Sequence, residues 1–173
     1  MADLFVEILG KPHGFIVFQL LAACRFTIYL SLIAFVGGGA IACLITLLRI
    51  SKIPSLQGFA TTFIWVFQSI PLLMLLFLIG LGMPRLLDVN VDPWTAATIA
   101  LVLFTAAYLA EVWRGAIESV ARGQWEASYA LNIRYSLLLR DIILPQAIKF
   151  GVAPTIGFMV QIIKGTSLAY IIG

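Results

Sequence analysis

An all-α integral membrane domain is the fold class this sequence predicts, on three observations. Of the 173 residues, 62% are apolar and only 11% are charged, whereas a soluble globular domain carries roughly 25% charged residues. Mean hydropathy is +1.06. The apolar residues also gather into runs of the roughly 20 residues that a helix needs to cross the hydrocarbon core.

Four such runs follow in order, at 26–48, 59–81, 94–113 and 150–173. The apolar stretch 15–24 before the first run has ten residues, too few to span. It is expected to lie at the outer interface or to form an approach to the first helix. Inside the first run, Gly37, Gly38, Gly39 and Ala40 remove side-chain bulk from most of a turn. That bare patch lets another helix approach closely, or it bends its own helix. Cys24 and Cys43 have neither the neighbours of a zinc site nor those of a paired redox motif, so both are expected to be small packing residues. Neither a repeat nor a low-complexity linker interrupts the chain, and a single membrane domain over 1–173 is expected.

Charge orders the connections. Arg49 and Lys52 stand in the turn 49–58 without an acid, whereas Arg85 in the turn 82–93 is outnumbered by Asp88 and Asp92. Cytoplasmic loops hold the excess of Lys and Arg, so the first turn is expected inside and the second outside. The stretch 115–149, with Arg122, Arg134, Arg140 and Lys149, then falls inside, next to Arg114, and the amino terminus outside. Asp3 and Glu7 occupy the region where a cleavable leader would carry basic residues. The net charge of +3 is scattered between hydrophobic runs and makes no stripe interleaved with aromatics, which argues against nucleic acid as a partner.

The stretch 115–149 is too polar for lipid and too apolar for an ordinary connection, since it includes Trp125, Tyr129, Leu131, Ile133, Leu137, Leu138, Ile142 and Ile143. Such a segment needs a partner to cover it. Two short helices are expected, 126–131 and 135–143, with Asn132 at the turn and Pro145 closing the second. Asparagine tolerates the left-handed conformation that commonly ends a helix, and a proline disfavours helical geometry in the residue before it.

The order Glu126, Ala127, then Asn132, then Ile142, Leu144 and Pro145 resembles the signature loop of binding-protein-dependent ABC importer permeases. In that family it reads Glu-Ala-Ala, three residues, Gly, nine residues, Ile, one residue, Leu-Pro. Every interval is kept, with Ser128 in place of the second alanine and Asn132 in place of the glycine. The strings 67–73, 108–117, 123–127 and 164–168 resemble the polar amino acid branch, although Gln68, Ser69 and Ile70 depart from its usual Phe-Arg-Gly-Thr-Pro. The resemblance, over roughly 20–172, implies a type I ABC importer transmembrane domain in a bacterial inner membrane, here apparently short of the last helix. It implies a separate ATP-binding cassette ATPase, a second permease subunit of the same or another kind, an extracytoplasmic solute-binding protein and an amino acid substrate. It also implies that 126–145 is a coupling helix region, with Glu126 making a polar contact to the ATPase and Ala127 and Ser128 allowing close approach.

Nothing in the chain suits chemistry of its own. Its single histidine is His13, and it has no nucleophile elbow and no phosphate-binding glycine loop; no cofactor or metal is expected. Polar residues inside apolar runs are costly and therefore candidate pathway groups. Gln68 lies about 18 Å along its helix from the inner end, near the bilayer middle, with Pro71 one turn later, where a proline frees a backbone carbonyl and can kink the helix, as at the midplane sites of transporters. Gln161 falls at a similar depth, with Lys164 one turn on along the same face. Those two could meet a carboxylate of the substrate or could satisfy Gln68 across the bundle. Glu111 lies close to the inner interface, where it either pairs with Arg114 at i+3 or binds substrate. Two rival readings are a secondary transporter or channel and a membrane scaffold that transports nothing.

Overall fold

The computed structural model describes residues 13–172. Asp3, Glu7 and Gly173 lie outside the described residues. Helix α1 is His13–Arg49, α2 Pro54–Ser69 and α3 Leu72–Phe77. A π-helical turn, Leu78–Gly82, joins α3 to α4, Met83–Leu87. Helix α5 is Pro93–Glu118, α6 Arg122–Ala130 and α7 Tyr135–Leu137; a second π-helical turn, Leu138–Ile143, leads into α8, Leu144–Gly165, and a 3-10 segment, Thr166–Ile172. There is no strand among the described residues.

Helix α1 corrects the expectation of a separate approach segment. Neither glycine nor proline occurs between Phe15 and Val36, so nothing stops the helix, and it runs unbroken for 37 residues. At 1.5 Å per residue it is about 55 Å long, well beyond the ~30 Å of hydrocarbon. The glycine run serves packing. A Cβ on Gly38 would stand 2.6 Å from Thr105 Cβ and 3.0 Å from the Val102 carbonyl oxygen, so α1 and α5 meet nearly backbone to backbone. Cys24 and Cys43 are both exposed, against the expectation that they pack. Ala42, Ile45 and Thr46 take the inward positions of that turn, which leaves Cys43 on the outer face.

Helix α5 is the centre of the bundle, in contact with α1, α2, α3 and α8. Its inward positions are mostly small: Ala96, Ala97, Ala100, Ala106, Ala107 and Ala110 are all buried, which permits neighbours on several sides. Its start is fixed locally. The Thr95 backbone N–H and hydroxyl both donate to the Asp92 carboxylate, at 2.9 and 2.6 Å, and Pro93 occupies the first turn, where its missing N–H costs nothing. Against α8, Phe158 stacks on Tyr108 with ring centres 5.4 Å apart. Further along, Trp113 Nε1 donates to Thr155 Oγ1 at 3.1 Å.

The second apolar run is not one helix. Ile70 precedes Pro71 and is extended, with φ −97° and ψ 120°, the conformation a following proline enforces. Helix α2 and the helical stretch Leu72–Leu87 therefore meet at 98°, a far sharper turn than a proline kink. The last run also begins earlier than expected. Pro145 does not close a short helix but lies in the first turn of α8. It has no N–H for the Asp141 carbonyl and its ring would crowd that group, and the wider π-helical turn just before it lets the chain pass without stopping.

Candidate coupling and translocation site

The region between α5 and α8 has its own small apolar core. Ile117, Val120, Leu138, Ile143 and Ala147 are buried together, with Ile50, Trp125, Ile133, Tyr135, Leu139, Ile142 and Leu144 packed around them. Leu138 and Ile143 are both 0% exposed, and each such side chain contributes about 1.5–3 kcal/mol by leaving water. Part of the apolar content expected to need an outside partner is thus covered by the chain itself. Tyr129, Leu131 and Leu137 still face outward.

Helix α6 stands on this core. It ends in a full Schellman arrangement: the Ile133 N–H donates to the Ser128 carbonyl and the Asn132 N–H to the Tyr129 carbonyl, each at 3.0 Å. Asn132 adopts the required left-handed conformation, with φ 55°. The first short helix therefore starts four residues before Glu126, and the turn falls at Asn132 as expected. Glu126 and Ala127 are exposed on α6. Ser128 is not: it is 3% exposed, its hydroxyl donates to the Gln124 carbonyl at 2.7 Å, and its side chain meets this chain rather than an outside surface. Ile142 and Leu144 are half-buried in the small core and Pro145 is exposed.

Toward the carboxyl end of α5, Arg114 Nε donates to Glu111 Oε2 at 3.0 Å, the i+3 pairing read from the sequence, and Arg114 also ion-pairs with Glu118. One contact escaped sequence reasoning altogether: the Tyr135 hydroxyl donates to the Ile50 carbonyl at 2.9 Å. A separation of 85 residues leaves no local signal for it.

Gln68 reaches the bundle interior, where its Nε2 donates to the Ala107 carbonyl oxygen at 3.3 Å. That corrects the alternative in which Gln161 or Lys164 satisfies it. Gln161 and Lys164 are both exposed on one side of α8, while Phe158, Ile162 and Gly165 face inward. Pro71, at the 98° break, is exposed too. The break and the end of α8 are close in space, because a Cβ on Gly165 would lie 2.9 Å from Leu72 Cδ2. Among the described residues no group of three or more His, Cys, Asp or Glu side chains could hold a metal ion.

Three helices long and apolar enough to span a membrane, a bent pair that can serve as a fourth, and a nine-residue, largely exposed helix on its own core define a polytopic membrane domain with a short exposed helix at one end. Residues 34–173 match the model of the binding-protein-dependent transport system inner membrane component, and the chain belongs to that family. It is 37% identical over 147 residues to the probable amino-acid ABC transporter permease protein YckA of Bacillus subtilis, covering 85% of this chain and 65% of YckA. To the L-cystine transport system permease protein TcyB of the same organism it is 35% identical over 144 residues, covering 83% and 61%. The chain thus spans less than two thirds of the length of these relatives. The crystal structure of an amino acid ABC transporter with histidines superposes at a TM-score of 0.85 with 28% identity, over 92% of this chain and 75% of that one. An inward-facing MetNI methionine ABC transporter shares the fold at a TM-score of 0.67 and 19% identity, over 94% and 77%.

Proposed function

We propose that this chain is the membrane-spanning permease subunit of an ATP-driven importer of amino acids, working beside a second permease subunit, a separate ATPase and an extracytoplasmic solute-binding protein. The observation that carries the reading is α6, which keeps the family's intervals, presents Glu126 and Ala127 outward and is braced on the ends of α5 and α8. A helix seated this way passes rigid-body motion into the bundle. Glu126 supplies the polar contact to the ATPase, and Ala127, with no bulk beyond Cβ, allows close approach. Ser128 supports the helix from beneath, Asn132 sets its end, and Ile142, Leu144 and Pro145 carry the segment into α8.

The turn 49–58 and the stretch 115–149 face the cytoplasm in this reading, and the amino terminus faces outward. The single membrane domain covers 1–173. Substrate passes along Gln68, the break at Pro71, and the Gln161 and Lys164 side of α8; Lys164 and the two amides suit a zwitterion. The amino acid class is supported by the relatives named above and by the amino acid transporter of known structure. Reconstitution of the chain with a candidate ATPase and binding protein tests it. Amino-acid-stimulated ATP hydrolysis is expected, and neutral substitutions at Gln68, Gln161 and Lys164 are expected to change affinity or preference. Uptake that proceeds with a non-hydrolysable nucleotide would favour a secondary transporter or channel instead.

A further inference from the structure

Helix α6 is joined by the chain to α5 and α8, but it reaches α1 and α2 only through space. Helix α1 ends at Arg49, and the last carbonyls of a helix have no partner in their own element. The Ile50 carbonyl takes its hydrogen bond from the Tyr135 hydroxyl, at 2.9 Å. Next to it, the Ser51 carbonyl accepts from Gln57 Nε2 at 2.6 Å, which stiffens the turn between α1 and α2. Lys52 Nζ stands 4.6 Å from the centre of the Tyr135 ring, within the range of a cation–π contact. Tyr135 lies two positions after Ile133, the residue that completes the end of α6. Among the described residues, Tyr135 to Ile50 is the one side-chain hydrogen bond between the 50–54 turn and the 122–145 region.

We propose that Tyr135 is a positioning residue that latches the 50–54 turn to the end of α6, so that movement of the docked helix is passed to α1 and α2 together with α5 and α8. The inference rests on the coupling role given to α6 above. Its consequence is mechanical. Helix α2 carries Gln68 and the 98° break at its far end, and the latch ties the docking helix to the near end of α2, a second connection beside the one through α5. Without the hydroxyl, the turn keeps its apolar neighbours but loses its fixed distance to α6.

The test is a distance measurement by double electron–electron resonance in lipid nanodiscs, with Cys24 and Cys43 replaced by serine and spin labels at Ser55 and Gln124, both exposed. The otherwise unaltered chain is expected to give one narrow distance, kept when the ATPase complex is trapped with Mg-ATP and vanadate. Tyr135→Phe retains the ring and removes the hydroxyl, so a second, broader population should appear, with the latched-to-free ratio falling about fivefold for the loss of one net hydrogen bond. Transport per ATP hydrolysed should fall while hydrolysis itself is retained, a split that a merely structural defect would not give. Lys52→Gln leaves Tyr135 in place and should shift the distribution the same way by less; it decides the matter if Tyr135→Phe fails to fold. Distributions of unchanged width in both variants overturn the latch. A chain that binds no ATPase overturns the coupling role instead, and the nucleotide-free distributions still read the latch.

Discussion

Replacing Gly38 by alanine separates two readings of the glycine run in α1 by the sign of the effect. In an open helix Gly→Ala stabilises by roughly 0.5–1 kcal/mol, because glycine loses more backbone freedom on folding. At Gly38 the added carbon would lie 2.6 Å from Thr105 Cβ, 2.7 Å from Thr105 Cγ2 and 3.0 Å from the Val102 carbonyl oxygen. None of these is the free end of a flexible side chain, so the two helices must separate. Overpacking of this kind costs about 1–3 kcal/mol, which leaves a net loss of up to about 2.5 kcal/mol after the propensity gain. Gly39 is the internal control, since a Cβ there meets only the Trp113 ring, at 3.9 Å. Gly39→Ala should therefore gain roughly 0.5–1 kcal/mol. Titration of the purified chain from mild detergent into sodium dodecyl sulfate, followed by helix content, measures both. A Gly38→Ala variant as stable as the parent, and no different from Gly39→Ala, would refute close helix approach and leave bending as the role of the run.

Two further outcomes follow from local geometry. Asn132 holds a left-handed φ of 55°, which costs a non-glycine residue about 1 kcal/mol; Asn132→Gly should recover about 0.5–1 kcal/mol of local stability, read as slower amide exchange in α6, and faster exchange would contradict the strain argument. The Asp92 carboxylate is held below the usual carboxylate range, chiefly by the hydrogen bond from the Thr95 hydroxyl and then by that from its backbone N–H. A depressed folded pKa gives a contribution that is fully present above the unfolded value of about 3.9 and is lost as pH falls through the folded one. Exchange at the start of α5 should therefore rise only in that acid range, and Asp92→Ala should show the raised exchange already at neutral pH.

The legible parts of this molecule were those encoded by neighbouring residues. Apolar runs gave the membrane helices, the Asn132 turn followed from asparagine's backbone tolerance, and the Glu111 to Arg114 pair followed from i+3 spacing. The bare patch at Gly37 to Gly39 also told of close packing, although not of its partner on α5. What failed depended on the third dimension or on competition between local rules. Residues 15–24 are too short to span alone, but with no breaker after them they simply lengthen α1. Pro145 looked like a stop because a proline disfavours a helix before it, yet a π-helical turn absorbs the conflict and α8 begins there. Pro71 pointed to a kink in the second apolar run, but the length of that run concealed a break as sharp as 98°. Ser128 stands in a motif position read as outward, but its hydroxyl bonds back to Gln124 and its side chain packs inward. The contact of Tyr135 with Ile50 has no sequence signature at all.

Glu126 is exposed on α6, so its charge can be reversed without disturbing the small core beneath. Co-purification of the chain and its Glu126→Lys variant with a candidate ATPase tests the coupling account most directly. The account predicts that the parent retains the ATPase and that the variant folds, with unchanged helix content, but loses it or hydrolyses ATP without uptake. A Glu126→Lys chain that binds the ATPase and supports normal amino acid uptake would contradict it.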